Sequence, residues 1–259
     1  MTTERLDVLA VQRGLAASRE QAQRLIRAGQ VFLGGQRAIK PGHRVDAAAV
    51  LSVRERPRFV SRGGDKLEGA FAAFGLDVKG LVCLDVGAST GGFTDCLLQH
   101  GAARVYAVDV GKGQLHWKLR QDPRVVTLER LNARYLGPEH LPERPRFAVI
   151  DVSFISLTKI LPAVVSIMEP SVEAVSLIKP QFELGPEHVA RGGVVRDEQK
   201  REQAVEAIRR FGTERLGLAW LGVCASPLRG PAGNVEFLAH WRMPGPDAGA
   251  AGREPEGGA

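Results

Sequence analysis

The sequence predicts an α/β protein: a mostly parallel sheet covered by helices on both faces and finished by an antiparallel hairpin, preceded by a small basic α+β unit. Three observations carry this reading. From residue 62 onward, short unbroken apolar runs alternate with segments of helical spacing, the pattern of a parallel sheet buried on both sides. The last two apolar runs, 217–223 and 235–241, are joined by a connection without helical periodicity, which reads as a hairpin. Charge is divided unevenly. The first 66 residues hold 13 Lys+Arg against 6 Asp+Glu, and the remainder holds 22 against 23. A basic small part on a near-neutral large part reads as a polyanion-binding module joined to a working domain.

Composition narrows the class. Hydrophobic residues at 44% and charged residues at 25% are ordinary for a globular chain of 259 residues. No apolar run approaches the roughly 18 residues of a spanning helix. Charges at Glu4, Arg5, Asp7 and Arg13 leave no signal-peptide core. Three scattered cysteines, Cys83, Cys96 and Cys224, make neither a disulfide framework nor a zinc signature. The expectation is a monomer of the reducing cytoplasm, with no membrane and no metal.

Residues 1–53 form the first domain. Leu6, Leu9 and Ala10 mark a short helix ending at Gly14. Ser18 is the expected N-cap of a second helix, with Gln21 as its capping-box partner and Ala22, Leu25 and Ile26 as its apolar stripe. Val31 to Ile39 reads as a hairpin around Gly34-Gly35, and 49–53 as a further strand. Residues 54–61, charged and holding Pro57, read as a linker; 62–243 is the sheet domain, and the Gly/Ala/Pro-rich 244–259 a disordered tail. The pieces R-L-D-V-L-A, S-R-E-Q-A-Q-R-L-I-R-A-G-Q-V-F-L-G-G and K-P-G-H-R-V resemble the small RNA-binding domain first described in ribosomal protein S4. That resemblance implies RNA contacts from Arg5, Arg19, Arg24, Arg27 and Lys40. Arginines on one rigid face suit A-form RNA, which offers phosphates and 2′-hydroxyls more readily than base edges.

In the second domain, strands are expected at 81–86, 104–109, 124–128, 147–152 and 174–179, with helices after the first glycine turn, over 157–168 and over 198–211. D-V-G-A-S-T-G-G-F-T (85–94) follows the first strand, where open parallel sheets bind ligands. It departs from the dinucleotide fingerprint G-x-G-x-x-G and from the P-loop. It resembles the S-adenosylmethionine loop of class I methyltransferases, a Rossmann-like fold. That resemblance implies cofactor contacts from Asp85, Gly87, Ser89, Thr90, Gly91, Gly92 and Phe93, with Asp109 on the ribose and Asn132 near the adenine. His116 reads as a surface residue and Trp117 as partly core.

Four charged residues sit where burial is costly unless they are paired. Lys66 lies in S-R-G-G-D-K, just before the first helix of the domain. Asp151 and Lys179 end the fourth and fifth strands, and Glu236 lies inside the last. The order Lys, Asp, Lys, Glu resembles the tetrad of FtsJ-like RNA 2′-O-methyltransferases. With the S4-like domain, D-V-S-F-I-S, L-I-K-P-Q-F-E and N-V-E-F, residues 4–242 resemble the TlyA family of hemolysin-like rRNA methyltransferases. The resemblance implies S-adenosylmethionine as cofactor, ribosomal RNA or subunits as partner and a cytidine ribose as acceptor.

A ribose hydroxyl becomes a nucleophile only as its proton leaves. A lysine with the reference pKa is neutral in about one molecule of 2500 at pH 7. Burial and a neighbouring ammonium favour the neutral form. Lys179 is assigned as base, Lys66 as the group holding the hydroxyl or its developing charge, and Asp151 and Glu236 as their positioners. Rival readings are another RNA target, a catalytically silent ribosome-assembly factor, and a membrane-active cytolysin.

Overall fold

A computed structural model describes residues 2–38, 40–53, 57–190 and 192–245. The chain divides into two compact units, Met1–Pro57 and Arg58–Ala259. Residues 54–56 of the expected linker and 246–259 of the expected tail lie outside the described residues.

The first unit runs β1 (Thr3–Arg5), α1 (Leu6–Gln12), α2 (Arg19–Arg27), β2 (Val31–Leu33), β3 (Gln36–Arg37), β4 (Arg44–Asp46) and β5 (Leu51–Val53). β1 pairs antiparallel with β4, and β2 with both β3 and β5. Leu6, Leu9, Ile26 and Val31 form its core. Gly34 and Gly35 turn β2 into β3 with φ of 54° and 82°, as a two-residue hairpin with both central residues left-handed requires. Ser18 Oγ accepts from the Gln21 amide at 3.2 Å. The Gln21 side chain accepts in return from Ala17 N rather than from Ser18 N, so the capping box is displaced by one residue.

The second unit runs α3 (Gly63–Phe74), β6 (Val82–Val86), α4 (Gly92–Gln99), β7 (Arg104–Asp109), α5 (Trp117–Arg120), β8 (Val125–Glu129), β9 (Phe147–Ile150), α6 (Leu161–Ile167), β10 (Glu173–Ile178), α7 (Pro180–Glu183), α8 (Glu198–Arg210), β11 (Ala219–Ala225) and β12 (Phe237–Arg242). Its sheet has the order β11-β12-β10-β9-β6-β7-β8. β6 to β10 pair in parallel, and β12 is antiparallel to both neighbours. Alternate side chains go to opposite faces, as strand geometry demands. Cys83, Ala107, Val149 and Val175 pack with Leu67 and Phe71 of α3 and Leu97 of α4. Leu84, Val86, Ile150 and Trp241 pack with Leu161 and Val164 of α6 and Ile208 of α8. The chain leaves β6 toward β7 and β8, then returns to β9 on the other side of β6. That reversal opens a crevice at the carboxyl ends of β6 and β9.

Several local outcomes differ from the sequence reading. Residues 157–168 are not one helix: a 3₁₀ turn over Leu157–Lys159 precedes α6. Pro162 in the first turn of α6 disfavours continuous α-helix through the residues before it. Trp117 is 67% exposed, not part of the core, because it opens the short α5 and only Leu119 of that turn points inward. After α8 the backbone widens into a π turn over Phe211–Arg215. There a Cβ on Gly212 would stand 2.6 Å from the Trp241 ring, so glycine makes room for the indole. Trp241 Nε1 donates to Ser176 Oγ at 2.9 Å, which satisfies both buried polar groups. Phe59 is buried against Gly64, and Val60 N donates to Asp95 Oδ2 at 2.9 Å.

Candidate active site

The glycine loop joins β6 to α4 in the crevice. Gly87 has φ of 87°, and a Cβ there would collide with the Asp151 carbonyl at the end of β9. Gly91, at φ of 97°, is the N-cap of α4. A Cβ on Gly92 would stand 2.8 Å from Gly64 N and 3.0 Å from Gly63 Cα. The glycine pairs of S-R-G-G-D-K and S-T-G-G-F-T therefore let the first turns of α3 and α4 touch. Both helix N-termini face one cavity, lined by Ser61, Gly63, Lys66, Thr90, Gly92 and Phe93. Such termini favour a negatively charged ligand group.

A second cavity of about 400 Å³ continues past Gly87 and Ser89 to Asp109, Asn132 and Ile155. Asp109 Oδ2 accepts from Ser89 N at 2.8 Å and Oδ1 from Gly111 N at 2.7 Å. Both bonds fix the carboxylate at the end of β7, and its remaining lone pairs can accept hydroxyls. Asn132 Oδ1 accepts from Arg134 N at 3.1 Å. Asp85 lies deeper than the sequence reading expects. It is fully buried and lines neither cavity, because it sits within β6 beneath the loop. Thr94 Oγ1 donates to its Oδ2 at 2.6 Å, while Oδ1 has no partner among the described residues. Burial pushes its carboxyl up to about 7 against the opposing Thr94 bond. The donor set fits a ligand carrying vicinal hydroxyls, a carboxylate and an apolar plane.

All four tetrad residues meet at a third cavity of about 520 Å³, contiguous with the other two through Gly87, Ser89 and Asp151. Lys66 is the fourth residue of α3, inside the helix rather than before it, and Glu236 directly precedes β12 rather than lying within it. Lys66 Nζ donates to Glu236 Oε2 at 2.5 Å, with Glu236 only 1% exposed. Lys179 Nζ stands 2.5 Å from Asp151 Oδ1 and donates to Ser153 Oγ at 2.9 Å. The Asp151 contact is close but poorly directed, an ion pair rather than an aligned hydrogen bond; the directed bond goes to Ser153. Each buried ammonium thus has its own carboxylate, the condition under which such burial is tolerable.

Several residues in or behind the wall escape sequence reasoning. Phe154 follows β9 with φ of 63°, is 91% exposed, and stands 5.1 Å from the Phe182 ring, centroid to centroid. Nothing in D-V-S-F-I-S marks it as outward-facing; the left-handed backbone turns it there. Glu183 accepts from Ser156 Oγ at 2.5 Å and Leu157 N at 3.0 Å, holding this loop to α7. Its carboxyl is raised, chiefly by burial. Asn234, nearly fully buried, accepts from Val195 N at 2.9 Å and donates to Gly193 O at 2.7 Å.

In the first unit, the five basic candidates separate into two groups. Arg5 Nε and Nη2 each donate to Asp7 at 3.0 Å, and Arg19 Nε donates to it at 3.1 Å. Asp7 is fully buried, and these bonds, with one from Gln23, hold its carboxyl well below the usual range. Arg5 and Arg19 therefore have a structural task. Arg24, Arg27 and Lys40 are exposed. Lys40 lines a surface hollow with Arg37 and His43.

Comparison with known proteins gives the same two units. The S4 domain family matches residues 4–51, and the FtsJ-like methyltransferase family matches 59–243. The 16S/23S rRNA (cytidine-2′-O)-methyltransferase TlyA of Mycobacterium tuberculosis is 53% identical over 90% of this chain and 88% of its own. Hemolysin A of Brachyspira hyodysenteriae is 44% identical over 92% and 99%. Among solved structures, one described as a hemolysin from Streptococcus thermophilus has a TM-score of 0.72 at 47% identity, covering 96% of this chain and 93% of that one. An S-adenosylmethionine-dependent methyltransferase from Listeria monocytogenes shares the fold of the larger unit, with a TM-score of 0.52 at 14% identity over 71% of this chain and 99% of that one. Among the described residues no helix is long and apolar enough to cross a membrane. With an S4 domain ahead of a sheet whose crevice gathers two lysine–carboxylate pairs beside a glycine loop, the chain belongs to the FtsJ-like methyltransferase family.

Proposed function

We propose that the protein transfers the methyl group of S-adenosylmethionine to the ribose 2′-oxygen of a cytidine in ribosomal RNA. One observation carries this: Lys66–Glu236 and Lys179–Asp151 face a single cavity that opens from the glycine loop. The name of the M. tuberculosis relative supports the choice of a cytidine in rRNA. The S4 domain supports ribosomal RNA or a ribosomal subunit as partner, and hence a cytoplasmic setting.

When bound, S-adenosylmethionine supplies an electrophilic methyl on a sulfonium sulfur. The chain's residues do the rest. Asp109 would hold the cofactor's ribose hydroxyls, Asn132 and Ile155 would line the place of its adenine, and the α3 and α4 N-termini would receive its carboxylate. Asp85 acts from beneath, fixing Thr94 and so the first turn of α4. The step requires Lys179 Nζ as a free amine, its own proton already released to solvent; its lone pair then takes the proton of the 2′-hydroxyl, while Asp151 and Ser153 fix it in place. Lys66, held by Glu236, faces the negative charge that develops on the oxygen. Phe154 and Phe182 form an apolar wall beside the acceptor. Positioning of oxygen and methyl in one crevice supplies much of the acceleration, roughly 7–11 kcal/mol for well-oriented reactants.

The test is transfer of labelled methyl to ribosomal subunits, followed by mapping of 2′-O-methyl marks. The expected result is a mark on a cytidine ribose, with kcat about 10²–10⁴-fold lower in Lys179→Ala at saturating cofactor. A methyl found on a base atom overturns the 2′-O reading, and near-normal turnover of Lys179→Ala at every pH overturns the base assignment.

A further inference from the structure

The reacting cavity has one polar group without an assigned task. Gln181, in the turn after Lys179, lines it together with Lys179, Phe154 and Phe182. Its Oε1 is buried and has no hydrogen-bond partner among the described residues. A buried amide oxygen left unpaired is costly, and folded proteins retain few. Neighbouring polar groups are already engaged. Ser153 Oγ accepts from Lys179. Both amide atoms of Asn234 bond the 193–195 backbone. Both Glu183 oxygens hold Ser156 and Leu157. Gln181 lines neither of the two cavities beside the glycine loop, so the side chain it presents to a ligand faces the acceptor's cavity alone.

Building on the proposed methyl transfer, we infer that Gln181 reads the base of the target nucleotide. A ribose held at Lys179 sends its base into the remainder of this cavity, between the Phe154/Phe182 wall and Gln181. The amide oxygen accepts from an exocyclic amine, and the amide nitrogen donates to the adjacent ring nitrogen. Side-chain amides make this two-point contact with base edges, and RNA-modifying sites reach such edges on unstacked bases. Gln181 is thus a specificity-determining residue for an amine-bearing base, distinct from the groups that move the proton.

The experiment is Gln181→Met, which keeps the length and removes the polar ends. The readouts are kcat/KM for methyl transfer to ribosomal subunits, melting temperature, and S-adenosylmethionine Kd by calorimetry. The expected result is kcat/KM lowered about 30-fold, melting temperature unchanged or raised, and Kd within about twofold of wild type. A structural glutamine gives the opposite pairing, since activity then falls only with stability. Retention of kcat/KM within about threefold overturns the inference, as does a loss accompanied by a lower melting temperature or a weaker Kd. Wild-type protein that transfers nothing to subunits overturns the methyl-transfer reading itself, and this inference with it; transfer by wild type and Gln181→Met alike overturns only the inference.

Discussion

Lys66 and Glu236 illustrate how a single buried pair carries both stability and chemistry. Glu236 is 1% exposed and its partner ammonium lies 2.5 Å away. Lys66→Met alone leaves a buried carboxylate unpaired, at a cost of about 3–5 kcal/mol. The double variant Lys66→Met/Glu236→Leu removes both charges and recovers most of that stability, while activity stays lost in both. Urea denaturation beside a methyl-transfer assay checks this double cycle. Asp85 gives a pH signature. Its folded pKa of about 7 lies above the unfolded value of about 3.9, so the folded state binds the extra proton between them. Stability from this group is complete below about pH 4 and is lost as pH rises through 7. Asp85→Asn, measured by urea denaturation at pH 5 and pH 8, gains relative to wild type by about 2–4 kcal/mol at the higher pH. Asp85 and Glu236 were legible in the sequence because each interrupts an apolar run, and Lys66 through its S-R-G-G-D-K stretch. Phe154 and Gln181 were not: periodicity reveals neither a left-handed backbone at an aromatic nor an unpartnered amide.

Among the elements, α2 divides its arginines between folding and binding. Arg19 is tied to Asp7, whereas Arg24 and Arg27 make no ion pair among the described residues. Arg24→Glu/Arg27→Glu is expected to weaken subunit binding at least tenfold and flatten its salt dependence, with the melting temperature of the protein unchanged. Arg19→Glu is expected to weaken binding and lower the melting temperature together. Filter binding across a salt series, with a thermal melt of each variant, separates the two. The strands were legible from their unbroken apolar runs, and β7 matches its expected limits, 104–109. The break before Pro162 and the π turn under Trp241 were not, since tertiary packing rather than local propensity decides both. The Asp7 cluster was hidden for the same reason: Arg19 and Gln23 of α2 reach Asp7 of α1 only once the two helices are packed.

Across the whole molecule, the site is a product of topology. Lys66, Gly87, Asp151, Lys179 and Glu236 come from widely separated stretches and meet because the sheet reverses direction of growth between β6 and β9. That convergence was foreseeable from alternating strands and helices; the pairing of each lysine with its own carboxylate was not, because sequence order does not state distance. The same crevice displays Phe154 in a left-handed backbone conformation, which costs a non-glycine residue about 1–2 kcal/mol. Phe154→Gly relaxes that residue and deletes its ring. The variant is expected to melt as high as or higher than wild type and to lose at least tenfold in kcat/KM on ribosomal subunits, as scanning calorimetry and methyl-transfer kinetics would reveal. Heat resistance and turnover therefore pull in opposite directions at this position. A directed-evolution campaign scored on thermotolerance alone would discard the aromatic early and enrich sturdy, idle enzymes.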